Sequence, residues 1–209
     1  MNRSNPSRSM KAFLCSPLRW ASSIAGLALL LGAQEANALC KLNTANGYVP
    51  KNINMVVGRV VVSPDLPVGS LITTPKTFPI YQAGANNTPF DCTSGPGTLN
   101  GRINTAAVGA EGSGKEEVFA TNVQGIGIRL LRRATGGNPP DVYYPHTLYG
   151  SFGAFSVKAD FVVELYKIGP VSGSGLLVSG IYTTYSGDDG LSAGAPRVGG
   201  GAITIVTPC

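Results

Sequence analysis

The sequence predicts an all-β protein, folded as an immunoglobulin-like or jelly-roll β-sandwich. Roughly nine to eleven short β-rich runs alternate along the chain with turns that contain glycine and proline. No stretch combines the apolar spacing of an amphipathic helix with capping residues. With 28 glycines, 15 prolines and 43% hydrophobic residues, the composition is that of a folded protein rich in turns, and it argues against disorder.

The strongest run, residues 155–167, is predicted to form the centre of the fold. Its odd positions are mostly apolar and its even positions mostly polar, which is the period of a strand with one buried face and one wet face. Gly169 and Pro170 end the run, and a Gly/Ser turn at 171–175 leads into a second β-rich run at 176–184. We therefore predict a central hairpin, whose apolar face the other strands cover.

The remaining strands are predicted from runs of the same kind. In chain order they are residues 53–62, 69–74, 77–81, 99–104, 116–120, 125–131, 142–149 and 202–206. Within the first of them, Gly58 indicates a bulge or a close packing contact. Polar or glycine-rich loops are predicted at residues 83–88, 108–114, 132–140 and 186–201.

Residues 1–38 are predicted to be a secretory signal peptide. The first residues are basic, a short apolar run follows at 20–33, and the motif Ala36-Asn37-Ala38 has the small-x-small pattern of a cleavage site. The alternative is a lipoprotein anchor at Cys40. It is disfavoured because Leu39, and not a small residue, precedes that cysteine.

The mature domain, residues 39–209, keeps three of the four cysteines, Cys40, Cys92 and Cys209. In an exported protein a pair of cysteines is expected to be oxidised. The sequence does not fix the connectivity, but Cys40–Cys92 is the economical pairing and leaves Cys209 unpaired. Closing that loop contributes about 4 kcal/mol in the chain-entropy model. The mature domain also keeps 12 basic and 10 acidic residues, a balance that gives no argument for nucleic-acid binding.

The residues that catalysis or metal binding needs are scarce. His146 is the single histidine of the sequence, which excludes a site of several imidazoles. No Gly-x-Ser-x-Gly motif supports a nucleophile, and the similar-looking segment 172–175 is interpreted as the hairpin turn. Asp188 and Asp189 lack the spaced carboxylates of a calcium loop and are interpreted as a solvated turn. We expect no enzyme, no cofactor and no metal site.

One cluster of aromatic and polar residues is a candidate binding surface. Tyrosine rings pack against sugars or proteins while their hydroxyl groups form hydrogen bonds. The cluster and the residues just upstream are Arg132, Arg133, Asn138, Tyr143, Tyr144, His146 and Tyr149. The alternative is that these tyrosines are core and edge residues of a strand.

Several segments together resemble the subunits of chaperone–usher fimbriae. They are the early pair Cys40 and Cys92, the run Gly-Ile-Gly-Ile-Arg at 125–129, and the segment 163–169 that continues into Val-Ser-Gly-Ser-Gly. The resemblance covers essentially the whole mature chain. It implies an incomplete immunoglobulin-like sandwich that a periplasmic chaperone folds and an outer-membrane usher exports to a pilus on the cell surface. In such pili, neighbouring subunits join by β-strand addition.

Within this family the chain most resembles the N-terminal receptor-binding domain of a two-domain tip adhesin, of the type 1 or type 3 kind. Polymerising subunits carry a donor strand before the first cysteine, whereas only Leu39 precedes Cys40 in the predicted mature chain. The ending Thr207-Pro208-Cys209 resembles the linker and first cysteine of a following pilin domain, which is missing here.

This resemblance implies partners as well as an architecture. They are the chaperone, the usher, an adjacent pilus subunit reached through the missing pilin domain, and a host glycan or matrix protein as receptor. The first alternative is a structural pilin-like subunit that polymerises by donor-strand exchange, and the second is a secreted enzyme.

Overall fold

Short β-strands make up nearly all the regular structure of the residues that the computed structural model describes. Those residues are 40–79, 88–104, 117–134, 141–151, 153–155, 159–198 and 202–208. They contain 17 strands and a single turn of 3-10 helix, Thr44–Asn46. Within these ranges no helix has the length and apolar character to cross a membrane.

The strands are numbered here in chain order. They are β1 (Lys41–Leu42), β2 (Lys51–Asn54), β3 (Gly58–Val61), β4 (Lys76–Pro79), β5 (Phe90–Cys92), β6 (Gly97–Ile103), β7 (Phe119–Ala120), β8 (Ile126–Ala134), β9 (Val142–Tyr143), β10 (His146–Gly150), β11 (Gly153–Phe155), β12 (Ala159–Lys167), β13 (Gly175–Leu176), β14 (Gly180–Ile181), β15 (Thr183–Ser186), β16 (Ser192–Val198) and β17 (Ile203–Val206).

The strands form four sheets that share one apolar core. A six-stranded sheet has the order β10-β6-β15-β16-β14, with β2 parallel to β16, and a five-stranded sheet has the order β4-β12-β8-β7, with β9 on β8. Two three-stranded sheets, β1-β5-β11 and β13-β17-β3, complete the fold. All four sheets contribute buried side chains to the core, for example Phe90, Leu99, Phe161 and Ile205. The predicted all-β sandwich class is confirmed.

The predicted central hairpin is wrong, although its first strand lies at the centre of a sheet. Strand β12 pairs with β8 over nine residues on one side, and it pairs with β4 on the other side. Neither edge is therefore free for the strand that follows it. The turn after β12 is instead fastened to the turn before β8, where Ile168 donates to the carbonyl of Gly125 and Gly173 donates to that of Gln124. The run at 176–184 is divided among β13, β14 and β15, which pair with β17, β16 and β6.

The wet face predicted for β12 is also wrong. Every residue from Phe161 to Lys167 is buried, so both faces of the strand are covered. On the face away from the core, Glu164 accepts a hydrogen bond from Arg129 at 2.7 Å and another from the Tyr166 hydroxyl at 3.0 Å. At the end of the strand, Lys167 Nζ donates to the carbonyl of Pro64. Polar side chains are therefore buried against one another.

The predicted strand at 53–62 is two strands in two different sheets. β2 pairs with β16 and β3 pairs with β17, and the chain passes between the sheets at Met55–Val57. Gly58 begins β3 with φ of +84°, and an added Cβ would meet nothing within 4 Å. Glycine is therefore required there for its backbone conformation and not for space.

Other predicted boundaries change as well. The predicted loop at 186–201 contains strand β16, and the predicted strand at 69–74 is reduced to one isolated bridge at Leu71. The predicted strand at 142–149 is divided at Pro145, which has no amide hydrogen to donate to a ladder.

The predicted disulfide between Cys40 and Cys92 is confirmed, and it fixes the start of the described chain to β5. Two aspartates hold the same segment. Asp188 accepts a hydrogen bond from the Cys40 amide at 2.8 Å, and Asp189 accepts one from the Leu42 amide at 2.6 Å. This pair, expected to be a solvated turn, therefore attaches the turn between β15 and β16 to the N-terminal strand.

Candidate functional site

The six-stranded sheet presents a polar face to solvent. Along β6 the buried residues alternate with Thr98, Asn100 and Arg102, and along β10 the most exposed positions are Thr147 and Tyr149. The alternation arises because neighbouring side chains of a strand point to opposite faces. The face away from the core therefore carries hydroxyl, amide and guanidinium groups.

The register of the sheet places these side chains side by side. Thr147 lies opposite Asn100 and Tyr149 lies opposite Thr98, and β15 continues the same rows with Thr184 and Ser186. The hydroxyl of Thr147 donates to Oδ1 of Asn100 at 3.0 Å. We call this surface the polar face, and it consists of Thr98, Asn100, Arg102, Thr147, Tyr149, Thr184 and Ser186.

An open pocket of about 570 Å³ adjoins the polar face. Its lining residues are the apolar Ile103, Phe119 and Pro145, the polar Asn100, Arg102, His146 and Thr147, and Gly101. A pocket with apolar walls and a few polar groups is the usual form of a site for a small ligand or for one unit of a larger ligand.

His146 and Gly101 form the inner part of this pocket. They are paired across β10 and β6, and a Cβ at position 101 would collide with the imidazole of His146. Nδ1 of His146 lies 2.9 Å from the Tyr143 carbonyl oxygen and donates to it in the tautomer protonated at Nδ1, while Nε2 is buried and has no hydrogen-bond partner among the described residues. The pKa of His146 is lowered to about 4, mainly by burial and to a smaller extent by the positive charge of Arg132, which together outweigh the bond to Tyr143. The imidazole is therefore neutral at physiological pH.

Two of the residues predicted for binding lie in the core behind the pocket. Tyr144 and Arg132 are each 1% exposed. The ring of Tyr144 is 4.8 Å from that of His146 and 5.4 Å from that of Phe161, and the Arg132 guanidinium lies over the ring of Tyr185 at 5.8 Å. Burial raises the pKa of Tyr144 and lowers that of Arg132. These side chains support the pocket from inside and do not form its surface.

The predicted residues Tyr143 and Arg133 belong to the five-stranded sheet. Tyr143 is partly buried beneath the guanidinium of Arg129, 4.1 Å from the ring centre, and Arg129 is bonded to Glu164. Arg133 is exposed, with its Nε 4.0 Å from the carboxylate of Asp141. The structure therefore does not bring these two residues to the polar face.

The remaining predictions divide between the polar face and the undescribed residues. Tyr149 stands on the polar face and is 74% exposed, and His146 lines the adjoining pocket. Asn138 lies outside the described residues, as do Cys209 and residues 1–38.

Comparison with known proteins then places the chain in a family. A family model described as MrkD-like receptor binding domain matches residues 53–198. The chain belongs to the MrkD-like receptor-binding domain family. The match to this MrkD-like domain spans β6, β10 and β15, which carry the polar face.

Two relatives agree with this membership. The MrkD-like domain is 35% identical over 181 residues to a fimbria adhesin protein of Klebsiella pneumoniae, covering 86% of this chain and 52% of that protein. The chain thus spans about half the length of the curated relative it matches. The crystal structure of the receptor-binding domain of the plasmid-born adhesin MrkD1P of Klebsiella pneumoniae matches with 31% identity and a TM-score of 0.62, over 81% of this chain and 96% of that one. The resemblance to a fimbrial tip adhesin domain is confirmed, and it is favoured over a structural pilin.

Sequence reasoning missed Arg102, Asn100 and Thr147 as site residues of the MrkD-like domain. A signal was present, because the segment Gly97–Ile103 alternates threonine, asparagine and arginine with glycine and leucine. A strand was predicted at 99–104, but its first two residues, Gly97 and Thr98, were not included, and the polar face of the strand was not considered as a site. Phe119 left no comparable signal, since it reaches the pocket from another sheet.

Proposed function

We propose that this MrkD-like domain is the receptor-binding part of a fimbrial adhesin, and that it attaches the bacterial cell to a host glycan or matrix protein through the polar face and its pocket. The observation that carries the proposal is the juxtaposition of an exposed polar strand surface with an open pocket on a chain of this family. The family and fold are those of a binding protein.

The polar face has the chemistry of a recognition surface. Tyr149 is an aromatic side chain that is mostly exposed, although burying it in the fold would have removed apolar area from water. Around it are hydroxyl and amide groups, which fix the orientation of a ligand through hydrogen bonds. The three strands that carry these groups, β10, β6 and β15, are paired within one sheet, so the surface is ordered before a ligand arrives.

The proposal also assigns the parts of the chain that flank this domain. Residues 1–38 act as a signal peptide, and a periplasmic chaperone and an outer-membrane usher carry the mature chain to the fimbrium. Cys209 belongs to the connection with a pilin domain that joins the adjacent subunit. These assignments rest on family membership and on the sequence motifs of both ends.

The direct test uses the exported chain displayed on beads, with adhesion to host cells and to extracellular matrix as the readout. We expect Tyr149→Ala to reduce adhesion at least about tenfold, since aromatic anchors carry much of the affinity of a binding site. The matched control is Val61→Ala, which removes another exposed apolar side chain from a different sheet.

A second pair of variants tests the other candidate location. Arg133→Gln and Tyr143→Phe alter the surface of the five-stranded sheet and should leave adhesion unchanged. If they abolish adhesion while Tyr149→Ala does not, the receptor site lies on that sheet and the polar face is scaffold.

A further inference from the structure

We propose that the pocket beside the polar face binds an acidic sugar, that is, a saccharide unit that carries a carboxylate. The inference rests on the proposed receptor-binding function and deepens it by naming the ligand class. The main observation behind it is Arg102, which is exposed and lines the pocket together with hydrogen-bonding and apolar residues.

Arg102 supplies a positive charge that the described part of the chain leaves unneutralised. Within those ranges no acid pairs with it, whereas Arg129 is paired with Glu164. On the same strand as Arg102, the Thr98 amide donates to Asp188. Thr98 is four residues away, or about 13 Å at the rise of a strand. A guanidinium in this position offers two parallel donors to a carboxylate.

The groups next to Arg102 suit hydroxyls more than a second charge. The Thr147 hydroxyl donates its proton to Oδ1 of Asn100, so it retains acceptor capacity, while the Nδ2 of Asn100 supplies donors. A sugar hydroxyl both donates and accepts, and it can satisfy the two groups together. His146 adds no charge because its imidazole is neutral.

The apolar wall completes the match to a sugar ring. Ile103, Phe119 and Pro145 line the pocket, and aromatic and aliphatic surfaces pack against the C–H face of a pyranose. An acidic peptide would also pair with Arg102, but its backbone does not present the cluster of hydroxyls that Asn100 and Thr147 favour. The described groups therefore favour an acidic sugar.

The experiment measures binding of the exported chain to two immobilised probes, a glucuronate-containing octasaccharide of hyaluronan and a sialic-acid-terminated trisaccharide. Each is paired with its carboxyl-reduced counterpart, in which a neutral alcohol replaces the carboxylate. We expect at least one acidic probe to bind about tenfold or more tightly than its reduced form. Arg102→Gln should abolish this preference. Arg59→Gln should preserve it, since Arg59 is equally exposed but lies on β3.

Three results overturn the inference. They are equal binding of acidic and reduced probes, no binding of either acidic probe, and an equal loss in the two arginine variants, which indicates nonspecific attraction of a polyanion. The proposed function is judged separately by the adhesion assay. If Tyr149→Ala abolishes adhesion in that assay while one of the three results above is obtained with the sugar probes, the adhesin function stands and only the acidic-sugar assignment fails.

Discussion

The five-stranded sheet and the six-stranded sheet use similar strand patterns for opposite purposes. In β12, polar residues alternate with apolar ones, yet Phe161 to Lys167 are all buried. In β10 the same alternation leaves Thr147 and Tyr149 in solvent. The difference is what covers the second face. The side chains of Arg129 and Tyr143 pack on this face of the five-stranded sheet, whereas Tyr149 remains 74% exposed.

Charge follows the same division between the sheets. On the five-stranded sheet, the Arg129 guanidinium lies between the rings of Tyr143 and Tyr166 and is bonded to Glu164. Burial by itself lowers the pKa of Arg129, but the hydrogen bond and charge of Glu164, together with Tyr166 and Tyr143, outweigh burial and the pKa is raised. On the polar face, Arg102 has no such partner among the described residues. Polar groups that are hydrogen-bonded within the fold stabilise it, while exposed polar groups without such partners are available to bind a ligand.

The largest expected effect separates two tyrosines that the sequence does not distinguish. Tyr144→Ala should lower the free energy of unfolding by about 3–5 kcal/mol, because it removes a fully buried ring and leaves a cavity. Tyr149→Ala should change it by less than about 0.5 kcal/mol. Urea denaturation of both variants provides the measurement. Equal losses would contradict the division between core and surface.

A second prediction concerns pH and His146. Its pKa is about 4 in the folded state and 6.5 in the unfolded chain, so both states are neutral above pH 6.5 and the residue has no effect there. As the pH falls from 6.5 to 4, the unfolded state takes up the proton first and stability decreases, by about 3 kcal/mol in total.

The measurement is the free energy of unfolding between pH 7 and pH 4, for the unmodified chain and for His146→Gln. The variant removes the titration of this one group while carboxylates continue to titrate in both proteins. The free energy of unfolding should change less steeply with pH in the variant. Identical slopes in the two proteins would show that the pKa of His146 is not lowered in the folded state.

Glu164→Gln should have an intermediate effect on the free energy of unfolding. The carboxylate accepts from Arg129 and from the Tyr166 hydroxyl, and the amide that replaces it leaves a largely buried guanidinium without its counter-charge. We expect a loss of about 1–3 kcal/mol in unfolding free energy, with adhesion unaffected. The double variant Glu164→Gln with Arg129→Gln should lose less than the sum of the single variants, and exact additivity would argue against the ion pair.

The smallest effect is expected at Asp188. Asp188→Ala removes the acceptor of the Cys40 and Thr98 amides, and water partly replaces it because the side chain is exposed. We expect the free energy of unfolding, measured by thermal denaturation, to decrease by about 1 kcal/mol. Asp65→Ala, at an exposed turn, is the control, and a loss of equal size there would mean that the bonds of Asp188 contribute nothing specific.

The sequence was sufficient for the fold class, which depends on local patterning, and it favoured the Cys40–Cys92 pairing without fixing it, since export to an oxidising compartment predicts a disulfide but not its partners. It failed where pairing depends on distant strands. The run at 155–167 predicts a strand correctly, but only tertiary structure decides that β8 and β4 take both of its edges. Strand β16 was missed because its glycine-rich segment has little intrinsic β-propensity.

For the site, aromatic content identified the right part of the chain but not which side chains are exposed. Tyr144 and Tyr149 are five positions apart in one predicted strand, so alternation places their side chains on opposite faces, but it does not show which of the two faces the core. Arg132 and Arg133 are adjacent and therefore point to opposite faces of β8, and the one paired with Phe161 enters the core. Arg102 required the register between β6 and β10, which a single sequence does not contain.

The position of β17 bears on how the domain would resist a mechanical force. The strand lies between β13 and β3, antiparallel to the first and parallel to the second. Just after it, the Thr207 amide donates to Ser174 Oγ and the Thr207 hydroxyl donates to the Gly173 carbonyl. A force applied to the chain after Thr207 along the strand direction would load the hydrogen bonds on both edges of β17 in shear, all at once, instead of breaking them one after another.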